Sequence, residues 1–184
     1  VTGQGGKWDI GSNKQGPSNR GFMEVAKRAP ADQYEATLED GGIAYLTDLD
    51  GDYMAEFVDR NADKPFFLYF SPNAVHSKVK DTPQHYRDRV PAEDGTAYEG
   101  AVIAVDDQVG KMLAMLEKHG LEEDTLIIFS SDNGANIPEG GLSEPYRGGK
   151  GKDTQQEGWV HTPSILSWPG TIPEGITYDG KMAT

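Results

Sequence analysis

Two stretches of this chain are apolar without interruption, Phe66–Phe70 in "KPFFLYFSP" and Leu126–Phe129 in "TLIIFSS". Neither alternates with polar residues, which predicts strands buried on both faces rather than half-solvated ones. Between them, the spacing predicts a helix from about Thr96 to His119, with Val102, Val105, Val109, Met112, Leu113 and Leu116 on one stripe. Thr96 and Glu99 have the spacing of a capping box, and Gly120 stands where a left-handed cap closes a helix. Strand, helix, strand in this order predicts a right-handed crossover in a mainly parallel sheet. An earlier helix is expected from Leu46, carried by Leu46, Leu49, Tyr53, Met54, Phe57 and Val58. Gly51 weakens it by about 1 kcal/mol relative to alanine. "TPSILSWPG", Thr162 to Gly170, is a further short strand.

The remaining sequence narrows the classes. Residues 1–42 are rich in glycine, asparagine and proline and are expected to be ordered loop with at most a short strand; residues 43–184 carry the α/β core. A formal net charge of −13 disfavours nucleic acid as a partner. With no cysteine, the chain holds no disulfide, thiolate metal site or cysteine nucleophile. No apolar run is long enough to span a membrane. The chain opens on Val1 and stops in "YDGKMAT", and the expectation is one partial domain over residues 1–184, cut at both ends.

In open α/β sheets, ligands gather beyond the carboxyl ends of the strands. "LIIFSSDNG" delivers Asp132 and Asn133 there, two hard oxygen donors that suit Ca²⁺ or Mg²⁺. Read alone, Asp-Asn-Gly is equally a favoured turn. The following loop carries Arg147, Lys150 and Lys152 among glycines, a pattern that closes on an oxyanion or stays solvated. It is no P-loop, because Glu144 stands where the upstream glycine belongs and no Ser or Thr follows Lys150. His76 lies just past the first apolar run. Asp106 and Asp107 are adjacent on a helix, about 100° apart, and read as surface residues.

These segments, in order, resemble the sulfatase family of the alkaline-phosphatase-like superfamily. "GGKWDIG" is similar to the family's G-K-W-H-L-G, and "PSNRGF" to P-x-x-R-G-F. "KPFFLYFSPNAVHSK", "LIIFSSDNG" and "PYRGGKGK" with "EGWVHTPSILSWPG" resemble three further family segments. The resemblance implies an α/β fold, the central part of an alkaline-phosphatase-like, mainly parallel sheet with flanking helices. It implies hydrolysis of a sulfate monoester, of a sulfated glycan or a small aryl sulfate, in an exported compartment. Asp132 and Asn133 would bind a divalent cation, Ca²⁺ or alternatively Mg²⁺. Lys150, Lys7 and His76 would bind sulfate and assist the departing oxygen.

The sequence departs from the family at three places. Asp9 occupies the position of the family's histidine, and as a carboxylate it is a poor proton donor at neutral pH. Trp159 and His161 stand where the family often has glycine and arginine. The family's formylglycine nucleophile, made within C/S-x-P-x-R, is expected upstream of these residues. "SEPYR" fits that string by letter, but it overlaps the Gly-rich loop and lacks the following T-G, so Ser143 is not assigned as the nucleophile. Two alternatives follow: a non-catalytic relative that binds sulfated ligands, or a phosphomonoester or phosphonate hydrolase on the same fold.

Overall fold

In the computed structural model the strands are β1 (Thr2–Gly6), β2 (Glu24–Val25), β3 (Glu35–Thr37), β4 (Ile43–Tyr45), β5 (Phe67–Ser71), β6 (Ile127–Ser130) and β7 (Ser164–Ser167). The helices are α1 (Leu46–Asn61), α2 (Gln84–Arg87), α3 (Ala97–His119) and α4 (Glu157–Val160). The structure describes residues 1–10, 15–26, 34–91, 96–151, 156–178 and 180. They form two compact units, Val1–His119 and Gly120–Thr184, each described by itself.

Glycine decides the centre of the first unit. β1 lies between β2 and β5 in a three-stranded parallel sheet, with Gly3 opposite Leu68 and Gly6 opposite Ser71. The opening 42 residues are expected to be ordered loop with at most a short strand, and "TGQGG" offers little side chain to bury. That lack is what the packing needs. A Cβ on Gly3 would sit 2.5 Å from the Phe57 ring, and one on Gly5 3.0 Å from Tyr53, so the rings of α1 lie directly on the strand. The region also supplies β2 and β3, the latter in an antiparallel pair with β4.

α1 and α3 run parallel. Lys111 reaches Asp52 and Lys118 reaches Asp59, each at 2.6 Å and each 59 residues apart in sequence. The expected capping box is present: the Thr96 N–H donates to Glu99 Oε2 at 2.7 Å, and the Glu99 N–H to Thr96 Oγ1 at 3.2 Å. Gly120 takes φ of 64° as a left-handed cap.

The buried face of α3 differs from the expected stripe. Gly100, Ala101, Ala104, Gln108 and Leu116 are buried, while Val102 and Leu113 are nearly half exposed. Small side chains let α1 approach closely, and at Gly51 a Cβ would stand 2.1 Å from Gln108 Oε1. The helix-weakening glycine is thus the contact point of the two helices. β5 also departs from two-sided burial. Phe67 is 58% and Tyr69 42% exposed; Tyr69 meets Trp8 edge-on, and both rings meet Phe22 at a tilt.

In the second unit β6 pairs with β7, antiparallel, with Ile127 opposite Ser167 and Ser130 opposite Ser164. Among the described residues the ladder partner of β6 is β7. Ile128 and Ile165 are exposed, and α4, the α-helix of this unit among the described residues, is four residues long. The architecture is mixed α/β, with a parallel sheet and flanking helices as expected. Among the described residues no helix is long and apolar enough to cross a membrane.

Candidate active site

Three segments of the second unit meet beyond the end of β6, and they meet backbone to backbone. The Gly134 N–H donates to the Trp159 carbonyl at 2.6 Å, the Lys150 N–H to Ala135 at 2.8 Å, and the Gly158 N–H to Arg147 at 2.9 Å. Such a crossing excludes side chains. A Cβ would lie 1.8 Å from the Gly158 carbonyl oxygen at Gly134, 2.6 Å from that of Ala135 at Gly149, and 2.2 Å from that of Gly148 at Gly158. The glycines therefore fix Lys150 against the turn that carries Asp132 and Asn133. The turn is itself braced, with Ser131 Oγ donating to the Asn133 carbonyl at 2.8 Å. Asp132 is exposed, and Asn133 and Lys150 are half-buried.

Lys150 also lines a cleft of about 460 Å³, with Leu142, Ser143, Glu144 and Tyr146 on its walls. Ser143 Oγ donates to the Gly158 carbonyl at 3.4 Å, a brace within the loop. Arg147 is exposed, and its carbonyl serves the crossing. Lys152 lies outside the described residues.

In the first unit Lys7 and His76 follow adjacent strands, β1 and β5. At Gly6, the last residue of β1, φ is 83° and a Cβ would lie 2.1 Å from the Ser71 carbonyl oxygen, a turn and a close approach that suit glycine. The Lys7 N–H donates to Ser71 O, and Ser71 Oγ donates back to Lys7 O. Gln4, fully buried, braces the turn from below by donating Nε2 to the Gly5 and Gly6 carbonyls at 3.0 and 3.1 Å. The Lys7 ammonium lies 3.0 Å from Asp9 Oδ2.

His76 sits in a tight turn, its N–H donating to Asn73 O at 2.9 Å and its Nδ1 2.9 Å from Ser77 Oγ. Tyr34 holds this turn: its hydroxyl donates to Asn73 O at 3.0 Å and accepts from the Ser77 N–H at 2.9 Å. Sequence reasoning missed Gln4 and Tyr34, because each acts through a buried contact with a distant backbone and belongs to no short pattern.

Lys7, Asp9 and His76 thus belong to the first unit, and Asp132, Asn133 and Lys150 to the second. Asp106 is exposed and Asp107 takes a bidentate pair from Arg89, one arm at 2.8 Å, as expected of helix-surface residues. That hydrogen bond, aided by the guanidinium charge, holds the Asp107 carboxyl below its ordinary range.

The chain matches the family model described as Sulfatase over residues 1–183. It is 35% identical to N-acetylgalactosamine-6-sulfatase of Canis lupus familiaris over 73% of this chain and 26% of that protein. It is 30% identical to arylsulfatase A of Homo sapiens over 97% of this chain and 42% of that protein. Among solved structures it resembles Ps i-CgsB in complex with k-i-k-neocarrahexaose, with a TM-score of 0.78 and 31% identity over 95% of this chain and 46% of that one. The chain spans less than half the length of the curated relatives it matches. With the ordered motifs, the parallel sheet and a match along nearly its whole length, the chain belongs to the sulfatase family.

Proposed function

We propose that these residues supply the sulfate-handling side of a sulfuric ester hydrolase. The single observation that supports this most is the Lys150 backbone N–H bond to the Ala135 carbonyl at 2.8 Å, which ties the main chain at Lys150 to the segment that follows Asp132 and Asn133. A sulfate monoester is an anion, and cleavage of its S–O bond leaves charge on the departing oxygen. Lys150 and Lys7 bind the sulfate oxygens and hold positive charge where that charge develops. His76 holds the proton for the departing oxygen.

Asp132 and Asn133 offer two hard oxygens of the kind Ca²⁺ takes, and these would hold it together with ligands from outside this set. Among the described residues no three His, Cys, Asp or Glu side chains form a metal-binding group, so the pair is a partial ligand set. When bound, the cation supplies fixed positive charge beside the sulfate. The nucleophile is formylglycine by family likeness, outside the residues named here, and export of the protein is proposed on the same likeness. Release of 4-nitrophenol from 4-nitrophenyl sulfate by the complete protein tests the reading. Preference for the paired phosphate ester, or no turnover of either, would sink it.

A second reading has one observation in its favour. Asp9 pairs with Lys7 where the family has histidine. This suits a protein that binds sulfated ligands without cleaving them.

A further inference from the structure

We infer that Asn133 is a site of spontaneous modification, losing its side-chain ammonia to attack by the Gly134 backbone nitrogen, and that the crossing of loops around Gly134 holds this site shut. Asn133-Gly134 is the one place in the chain where asparagine precedes glycine; every other asparagine precedes a residue with a side chain. The following residue matters because its backbone nitrogen is the nucleophile. A side chain there shields the nitrogen and restricts the rotation that brings it to the amide carbon, and glycine does neither.

The step closes within the chain. Gly134 N gives its proton to solvent base and bonds to Asn133 Cγ. The Cγ–Nδ2 bond breaks, ammonia leaves with a proton from solvent, and a cyclic imide remains. Water then opens the imide at either carbonyl. Opening the new Cγ–N bond leaves an ordinary main chain with a carboxylate side chain. Opening the original peptide bond reroutes the main chain through the side chain. Either product puts a carboxylate where the amide stood, next to that of Asp132.

The crossing opposes each part of this. The Gly134 N–H is donated to the Trp159 carbonyl at 2.6 Å, which withholds its proton from base. The nitrogen reaches Cγ only if the Asn133-Gly134 peptide swings, and it is wedged. A Cβ on Gly134 would meet the Gly158 carbonyl oxygen at 1.8 Å and Trp159 Cα at 2.9 Å. Ser131 Oγ, donating to the Asn133 carbonyl at 2.8 Å, holds the other side of the same peptide. The crossing thus requires at Gly134 the residue that makes the dipeptide reactive, and it suppresses that reactivity. Reaction proceeds from the opened crossing, at the unfolded-chain rate multiplied by the fraction of molecules that are open.

The test follows conversion at Asn133 in the complete protein, in mildly alkaline buffer, by peptide mass spectrometry that separates the two products. A chelator is present throughout, so that a bound cation does not supply the protection. No turnover is needed, so the outcome stands apart from the hydrolase reading. Conversion in the native protein is expected to be about a hundredfold or more slower than in the same protein unfolded in guanidinium. Ser131→Ala, which removes one brace, raises the native rate by about fivefold, and raises exchange of the Gly134 amide hydrogen by the same factor. A native rate within about twofold of the unfolded rate overturns the inference, and so does a Ser131→Ala protein in which Asn133 converts no faster.

Discussion

The ammonium of Lys7 lies 3.0 Å from the carboxylate of Asp9, two residues away on the turn that leaves β1. The pair spends part of the lysine's charge inside the protein. Asp9 is 65% exposed, so the attraction is screened and modest. Asp9→Asn is expected to tighten binding of inorganic sulfate by about threefold at low ionic strength and by less at high salt. Calorimetry at two salt concentrations reads this. Weaker binding in the variant would show that Asp9 orients Lys7 more than it competes for it.

The crossing of three loops depends on hydrogen in place of a side chain at Gly134. Gly134→Ala puts a methyl 1.8 Å from the Gly158 carbonyl oxygen, and backbone cannot step aside as a side chain does. The expected cost is about 1–3 kcal/mol in urea unfolding of the second unit, with loss of Lys150-dependent sulfate binding. Gly110 in α3 meets nothing within 4 Å, so Gly110→Ala should stabilise the chain by about 0.5–1 kcal/mol. Equal effects of the two substitutions would contradict the packing described.

Stability should fall in acid for reasons that can be separated. The Arg89 hydrogen bond lowers the Asp107 carboxyl, and bonds from the Thr96 N–H and hydroxyl lower Glu99. A carboxyl with a depressed folded value stabilises the fold fully above its unfolded value, near 3.8 for Asp107 and 4.5 for Glu99. That contribution is lost as pH falls through the folded value. The difference in Tm between the unsubstituted chain and Asp107→Asn should therefore be constant above about pH 5 and shrink below it. A difference that grows on acidification would reverse the sign of the linkage.

Chelation addresses the partial ligand set. Turnover of an aryl sulfate by the complete protein is expected to disappear with a chelator and return with Ca²⁺. Asp132→Ala should raise the Ca²⁺ concentration needed by about tenfold or more. Full activity of the chelated protein would remove the metal role from Asp132 and Asn133.

Much of this was legible where chemistry is local. Thr96 and Glu99 sit one helical turn apart, so their reciprocal bonds follow from spacing. Gly120, the helix boundaries and the position of Asp132 after β6 are of the same kind. What escaped is long-range or carried by absence. The Gly-rich opening reads as loop with at most one short strand and does not mark where β1 lies, yet Gly3 and Gly5 are the space that Phe57 and Tyr53 fill. The buried face of α3 was misread because large apolar residues draw attention from the Gly100, Ala101 and Ala104 stripe that meets its neighbours. The β6–β7 ladder joins residues 34 apart across a glycine-rich loop, a distance at which no sequence period speaks. The brace of Tyr34 on the His76 turn is likewise a contact between remote backbone and one buried hydroxyl.

The central claim is that Lys150, pinned beside the Asp132-Asn133 turn, handles the sulfate group of a hydrolysed ester. The most direct measurement is kcat/KM for 4-nitrophenyl sulfate in the complete protein with and without Lys150→Ala, with Tm as the check on folding. The account predicts a loss of about 100-fold or more at unchanged Tm, and no turnover by residues 1–184 alone. A Lys150→Ala protein within about threefold of the unsubstituted rate, or turnover by the 184-residue chain itself, would contradict it.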